Sequence, residues 1–131
     1  EEAVTHNAEI LKTQFAAEID FLRNARHYYQ YGKLLITHAG FDSTAENWQD
    51  TSSQDFLWIR EHYLQPNQTG LINIFGHTPT RNMHKIDDIW ISPCQSYIGI
   101  DGGCAYGGQL NALLISEQGE ILETFVEHSD K

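Results

Sequence analysis

The chain has few basic side chains and no long apolar run. Eight lysines and arginines stand against 18 aspartates and glutamates, a formal net charge of -10. Such a surface repels phosphate backbones and anionic lipids, which argues against nucleic acid or membrane as a partner. A bound metal ion or a cationic partner fits this charge better. The apolar runs are shorter than the roughly 20 residues that span a bilayer, and Glu1-Glu2-Ala3-Val4 is unlike a signal peptide. We therefore expect a cytoplasmic protein.

Cysteine is also scarce. The two cysteines, Cys94 and Cys104, do not have the spacing of a metal-ligand pair, and their number predicts free, buried thiols while leaving a disulfide open. With 131 residues, 40% of them hydrophobic and 20% charged, the chain has the length and composition of one globular domain. We treat residues 1–131 as a single domain or part of one.

Hydrophobic spacing predicts two helices. Apolar residues three to four positions apart over residues 8–29 indicate an amphipathic helix that Gly32 ends. A second helix is predicted over residues 55–64, beginning after a Ser52-Ser53 cap and ending before Pro66.

Short apolar runs bounded by turn residues predict the strands. The runs cover residues 34–37, 71–75, 97–100, 110–115 and 121–126. The last two flank a glycine-containing turn and predict a hairpin. Residues 41–53 and 78–88 are predicted loops, and the tail after residue 126 is expected to fray. These elements predict an α/β (α+β-like) fold, a mixed sheet with flanking helices.

Two histidines follow predicted strands directly. His38 comes after the run 34–37 and precedes Ala39-Gly40, and His77 comes after the run 71–75 and precedes Thr78-Pro79. A histidine at a strand end is either a hydrogen-bonded structural residue or a ligand. Because both imidazoles project at a sheet edge before small or turn-forming residues, a divalent metal is the interpretation to test. We interpret the other five histidines as surface residues: His6, His27, His62, His84 and His128.

Arg60 and Tyr106 are candidate substrate ligands. Arg60 is either a solvated helix residue or a phosphate ligand. The second role is open because a guanidinium binds phosphate through two parallel hydrogen bonds and stays charged. The glycine-rich segment 101–108 has neither the pattern nor the lysine of a nucleotide-binding loop, so we expect its glycines to permit close backbone approach. Tyr106 within it either reaches a ligand or packs.

Four motifs in one order carry a family resemblance. They are Leu35-Ile36-Thr37-His38-Ala39-Gly40, Phe56-Leu57-Trp58-Ile59-Arg60-Glu61, Ile74-Phe75-Gly76-His77-Thr78-Pro79, and Ile100-Asp101-Gly102-Gly103-Cys104 followed by Gly107-Gly108 and Leu110. Their succession, over about residues 21–115, resembles the C-terminal half of calcineurin-like metallophosphoesterases. The most similar branches are bacterial and bacteriophage serine/threonine protein phosphatases and symmetrical diadenosine tetraphosphate hydrolases.

The resemblance implies a four-layer α-β-β-α sandwich and a site of two manganese, iron or zinc ions. His38 and His77 would be ligands of the second metal, and Arg60 would hold the substrate phosphate as its catalytic contribution. Asp101 and Tyr106 would lie in the closing loop, with Tyr106 near the substrate. In that family a hydroxide bridging the two metals attacks phosphorus in line. Substrates would be phosphorylated proteins or nucleoside polyphosphates, and Pro79 favours the phosphoprotein phosphatase branch.

The sequence departs from this family in its N-terminal motifs. It contains no Gly-Asp pair and no Gly-Asn-His, so the carboxylate ligands, the asparagine ligand and the proton-donating histidine of the family have no counterpart here. We therefore expect the chain alone to be inactive. The alternative is a non-catalytic fragment that keeps the fold for binding or assembly. Half of a two-sheet fold leaves apolar sheet surface uncovered, which predicts association with a second copy or with the N-terminal half.

Overall fold

The protein, described here by a computed structural model that covers residues 2–129, is a mixed α/β structure with two sheets. The strands are β1 Tyr28–Tyr31, β2 Leu34–Thr37, β3 Ile72–Phe75, β4 Trp90–Ile91, β5 Tyr97–Gly99, β6 Gln109–Ile115 and β7 Ile121–His128. The helices are α1 Glu2–Gln14, α2 Ala16–Arg23, α3 Ser53–Trp58 and α4 Arg81–His84, with 3₁₀ turns at Trp48–Asp50, His62–Leu64 and Cys104–Tyr106. No helix in this part of the chain is long and apolar enough to cross a membrane.

Five strands form the main sheet in the order β1-β2-β3-β5-β4. The three central strands β2, β3 and β5 are parallel, and the two edge strands are antiparallel to their neighbours. Because parallel strands end at the same edge, the segments after β2, β3 and β5 meet there, where open α/β sheets bind ligands.

The two faces of this sheet are covered by different elements, as the alternation of side chains along a strand requires. On one face Leu35, Phe75 and Tyr97 pack with Phe41 and Phe56, from the loop and from α3. On the other face the β6-β7 hairpin covers a second core. The strand residues of that second core are Leu34, Ile74 and Ile98, and Leu113, Ile115 and Ile121 of the hairpin pack against them.

The predicted helix over residues 8–29 is wrong in its last third. It is two helices, and residues 28–31 form β1 instead, since tyrosine-rich segments favour strands. Gly32 does not end a helix but enters the two-residue turn to β2 with a φ of 54°. The apolar stripe of the helices is not buried. Leu11, Phe15, Phe21 and Leu22 are between 46% and 74% exposed.

The predicted helix over residues 55–64 is also shorter than expected. Its cap is confirmed, because the Ser52 hydroxyl accepts a hydrogen bond from the Asp55 amide at 3.0 Å. The helix ends at Trp58 since Ile59 is extended and Glu61 has a left-handed φ of 64°. Arg60 therefore lies in an irregular segment between a helix and a 3₁₀ turn, not on a helix face.

The other predicted elements mostly hold. The C-terminal hairpin is confirmed, and its second strand extends to His128. The Ser129 amide then donates to the Gly108 carbonyl at 3.1 Å, so the prediction that the tail frays after residue 126 is wrong up to residue 129. Residues 130–131 lie outside the described part. β4 and α4 were not predicted because each is too short for a periodic signal.

The two thiols are free, but Cys94 is exposed and Cys104 half-buried, since both lie in turns.

Candidate metal and phosphate site

His38 and His77 meet at the carboxyl edge of the sheet. Each follows a parallel strand, and the Gly76 amide donates to the His38 carbonyl at 2.9 Å, which ties the two strand ends together. The imidazole centroids are 5.2 Å apart, with their planes inclined by 51°. Asp101 follows the third parallel strand at the same edge, where its Cβ approaches Gly76. The two predicted metal ligands are therefore neighbours, with a carboxylate nearby.

His77 has an unusual backbone conformation and a lowered pKa. Its φ of 63° is left-handed, which is uncommon for a residue with a Cβ. Its Nε2 is buried and has no hydrogen-bond partner among residues 2–129, and the Trp58 ring lies edge-on to the imidazole at 5.4 Å. Burial lowers the pKa of His77, the charges of Arg60 and His38 lower it further, and Asp101 opposes them. The neutral imidazole that results is the form that binds metals.

Arg60 is an exposed cation beside this pair. Its effect on the pKa of His77 puts the guanidinium within electrostatic range of the imidazole. Within the described part of the chain Arg60 makes no hydrogen bond or ion pair, whereas Arg81 binds both oxygens of Asp87 at 2.6 and 2.9 Å. The Arg60 guanidinium is thus free to take an anion through its fork of donors.

Hydrogen bonds hold the segment 101–108 beside the site. The Asp101 carboxylate accepts the Gly103 amide and its carbonyl accepts the Thr80 amide, both at 2.8 Å. The expected close backbone approach is confirmed, because a Cβ on Gly102 would clash with the Gln109 carbonyl of β6. Tyr106 lies in the following 3₁₀ turn and is 83% exposed, so its ring is accessible from solvent.

The residues fit a partial metal site. Across residues 2–129 there is no group of three or more histidine, cysteine, aspartate or glutamate side chains that could hold a metal ion. The His38 and His77 pair, with one buried imidazole nitrogen lacking a partner, offers two ligands of the type that manganese, iron and zinc accept. Further oxygen ligands would have to come from other residues.

One buried polar residue at this edge contradicts the sequence prediction. His62, predicted at the surface, is only 3% exposed. Its ring lies among Phe41, Phe75 and Tyr97, with centroid distances of 6.0, 4.6 and 5.4 Å, and burial lowers its pKa to about 4. No local pattern indicated this position, because the left-handed turn at Glu61 is what directs the side chain inward.

The remaining histidines agree better with the prediction. His27 and His128 are exposed, while His84 is half-buried with one ring nitrogen 3.0 Å from the Asp88 carbonyl. The side chain of His6 lies outside the described residues.

No family model, curated protein or solved structure matches the chain. The family resemblance therefore depends on the four sequence motifs, and the geometry at the sheet edge is independent of it.

Proposed function

We propose that the chain belongs to a metal-dependent phosphoesterase of the phosphoprotein phosphatase type, to which it contributes His38, His77 and Arg60. The observation that carries this proposal is the convergence of two imidazoles and a guanidinium, unpaired within residues 2–129, at the carboxyl edge of three parallel strands. The hairpin packed on one sheet face and α3 on the other correspond to three layers, α-β-β, of the four-layer arrangement that such enzymes have.

Each residue has a distinct chemical task. His38 and His77 would hold one ion of a divalent pair, and the lowered pKa of His77 keeps its imidazole unprotonated near neutral pH. Bound divalent ions activate water and neutralise phosphoryl charge. Arg60 binds the phosphate oxygens of a phosphorylated protein or a nucleoside polyphosphate, and Tyr106 contacts the rest of the substrate. A diadenosine tetraphosphate hydrolase would use the same site and differ in substrate.

A second candidate is a catalytically inactive fragment that serves binding or assembly. It is favoured by the lack of a third metal-ligating side chain beside His38 and His77 among the described residues. The two candidates differ in metal binding, because a purely structural histidine pair needs no ion.

The proposal is tested by titrating the chain with Mn²⁺ and following free Mn²⁺ by electron paramagnetic resonance. We expect binding that weakens at least about tenfold in His77→Ala, since one of two imidazole ligands is lost. The matched control is His128→Ala, which removes an exposed histidine on β7 and leaves the affinity unchanged. No binding by the wild type, or equal binding by His77→Ala, contradicts the proposal.

Hydrolysis of p-nitrophenyl phosphate with added Mn²⁺ tests how complete the site is. We expect the isolated chain to show no turnover, because two imidazoles lack the carboxylates that complete a dinuclear site. Turnover that disappears in His77→Ala would show that this chain alone is sufficient.

A further inference from the structure

The segment that carries Arg60 lies between two anchored elements. On one side is α3, where Phe56 is buried and its carbonyl accepts the Ala39 amide at 3.1 Å. On the other side is the 3₁₀ turn at His62–Leu64, with the left-handed Glu61 between Arg60 and the buried His62. The position of Arg60 therefore depends on how His62 is fixed as well as on α3.

His62 is fixed by a directed hydrogen bond to β3. The Asn73 amide nitrogen donates to the Leu35 carbonyl and to the Thr37 hydroxyl, both at 3.0 Å, which orients the amide. Its oxygen, 3.0 Å from His62 Nε2, is then the acceptor, so His62 carries its proton on Nε2. This chain of bonds runs from the Arg60 segment to β2 at Thr37, the residue before His38.

His62 also contacts the loop that follows His38. The backbone of Gly40 lies against the imidazole so closely that a Cβ there would be 2.5 Å from Nδ1 and 2.7 Å from Nε2. Gly40 has a φ of 154° and is buried, so it accepts this contact only as glycine. The imidazole ring of His62 thus lies between the loop that follows His38 and the segment that carries Arg60, and it sets their relative position.

We infer that His62, together with Asn73 and Gly40, positions Arg60 over the His38 and His77 pair for phosphate binding. His62 is a positioning residue, since its ring is buried and acts on Arg60 through the backbone segment that joins them. The inference rests on the proposed role of Arg60 as a phosphate ligand. It adds that phosphate affinity and metal affinity are separable, because the β2-β3 ladder and the Gly76 amide still hold His38 and His77 together when the His62 contacts are lost.

The test measures Mn²⁺ and orthophosphate binding to the full chain by calorimetry. In His62→Phe, which fills the space without a donor, we expect orthophosphate to bind about tenfold more weakly and Mn²⁺ to bind as before. His62→Gln, which keeps an N–H donor, restores phosphate affinity to within about threefold. The control Ile74→Ala destabilises the core on the opposite sheet face and leaves both affinities unchanged.

Unchanged phosphate affinity in His62→Phe, or equal losses of phosphate and Mn²⁺ affinity, would overturn the inference. A second readout is the NMR order parameter of the Arg60 backbone amide, which we expect to fall from about 0.85 to below about 0.6 in His62→Phe and to stay constant in Ile74→Ala. If the wild type binds no orthophosphate, the proposed role of Arg60 fails, and this order parameter alone decides whether His62 fixes the segment. Should His62→Phe not fold, His62→Leu, which is smaller and also lacks a donor, is measured in its place.

Discussion

At the scale of single residues, the sheet edge contains two histidines with lowered pKa values and different partners. Among residues 2–129, His77 has a buried nitrogen without a hydrogen-bond partner and the unpaired Arg60 guanidinium nearby, which suits a ligand site. The proton-bearing nitrogen of His62 is hydrogen-bonded to Asn73, while its Nδ1 is buried without a partner in the same part of the chain. Protonation of Nδ1 would place a charge among aromatic rings, and this is why burial dominates the pKa of His62.

The titration of His62 predicts a pH dependence of stability. Its pKa is about 4 in the folded protein and 6.5 ordinarily, so between these values the unfolded state binds more protons. The free energy of unfolding therefore falls as the pH drops from 6.5 to about 4 and levels off below, by up to about 3 kcal/mol in total. Urea unfolding at several pH values should show this loss in the wild type and not in His62→Gln. Parallel profiles for the two proteins would refute it.

At the scale of the elements, the central parallel strands contribute more buried side chains to the core than the edge strands do. Ile98 on β5 and Ile91 on β4 are paired across the sheet, yet they are 2% and 44% exposed. Ile98 lies under the hairpin, whereas Ile91 borders a groove that remains open to solvent.

This pair provides a matched test of where the two sheets are held together. We expect Ile98→Ala to lower the free energy of unfolding by about 3 kcal/mol, because it leaves a cavity between the sheet and the hairpin. Ile91→Ala removes the same atoms from a partly solvated position and should cost less than about 1 kcal/mol. Denaturant titrations measure both, and similar losses would show that the hairpin does not close the core over β5.

At the scale of the whole molecule, much apolar surface is unpartnered within residues 2–129. The stripe on α1 and α2 is exposed, and so are Leu110, Leu114, Leu122 and Phe125 on the hairpin. Contiguous exposure of this kind marks surfaces that another chain or segment covers.

We therefore predict concentration-dependent association, measurable by sedimentation velocity. The double variant Phe21→Asp with Leu22→Asp should weaken it, since both side chains are among the most exposed of the stripe. Leu64→Asp, which changes an equally exposed leucine outside the helices, is the control. A monomer at all concentrations would count against this prediction.

Local signals in the amino-acid sequence were enough to predict several parts of this protein. Short apolar runs, turn residues and capping chemistry predict the bounds of β2, the existence of the hairpin, the Ser52 cap and the strand-end positions of His38 and His77. These signals are local because a strand core or a cap is specified by residues a few positions apart.

Three features depend on long-range contacts: the pairing of β1 with β2, the burial of the His62 side chain and the position of Arg60 outside a helix. The tyrosines of β1 favour a strand, but this preference depends on context and is realised only when β2 pairs with the segment. Glu61 adopts its left-handed conformation in a segment that Asn73 and Gly40 hold through His62, although they are remote in sequence. Such long-range contacts leave no periodic pattern in the chain, so the arrangement of the site emerges only when the strands assemble.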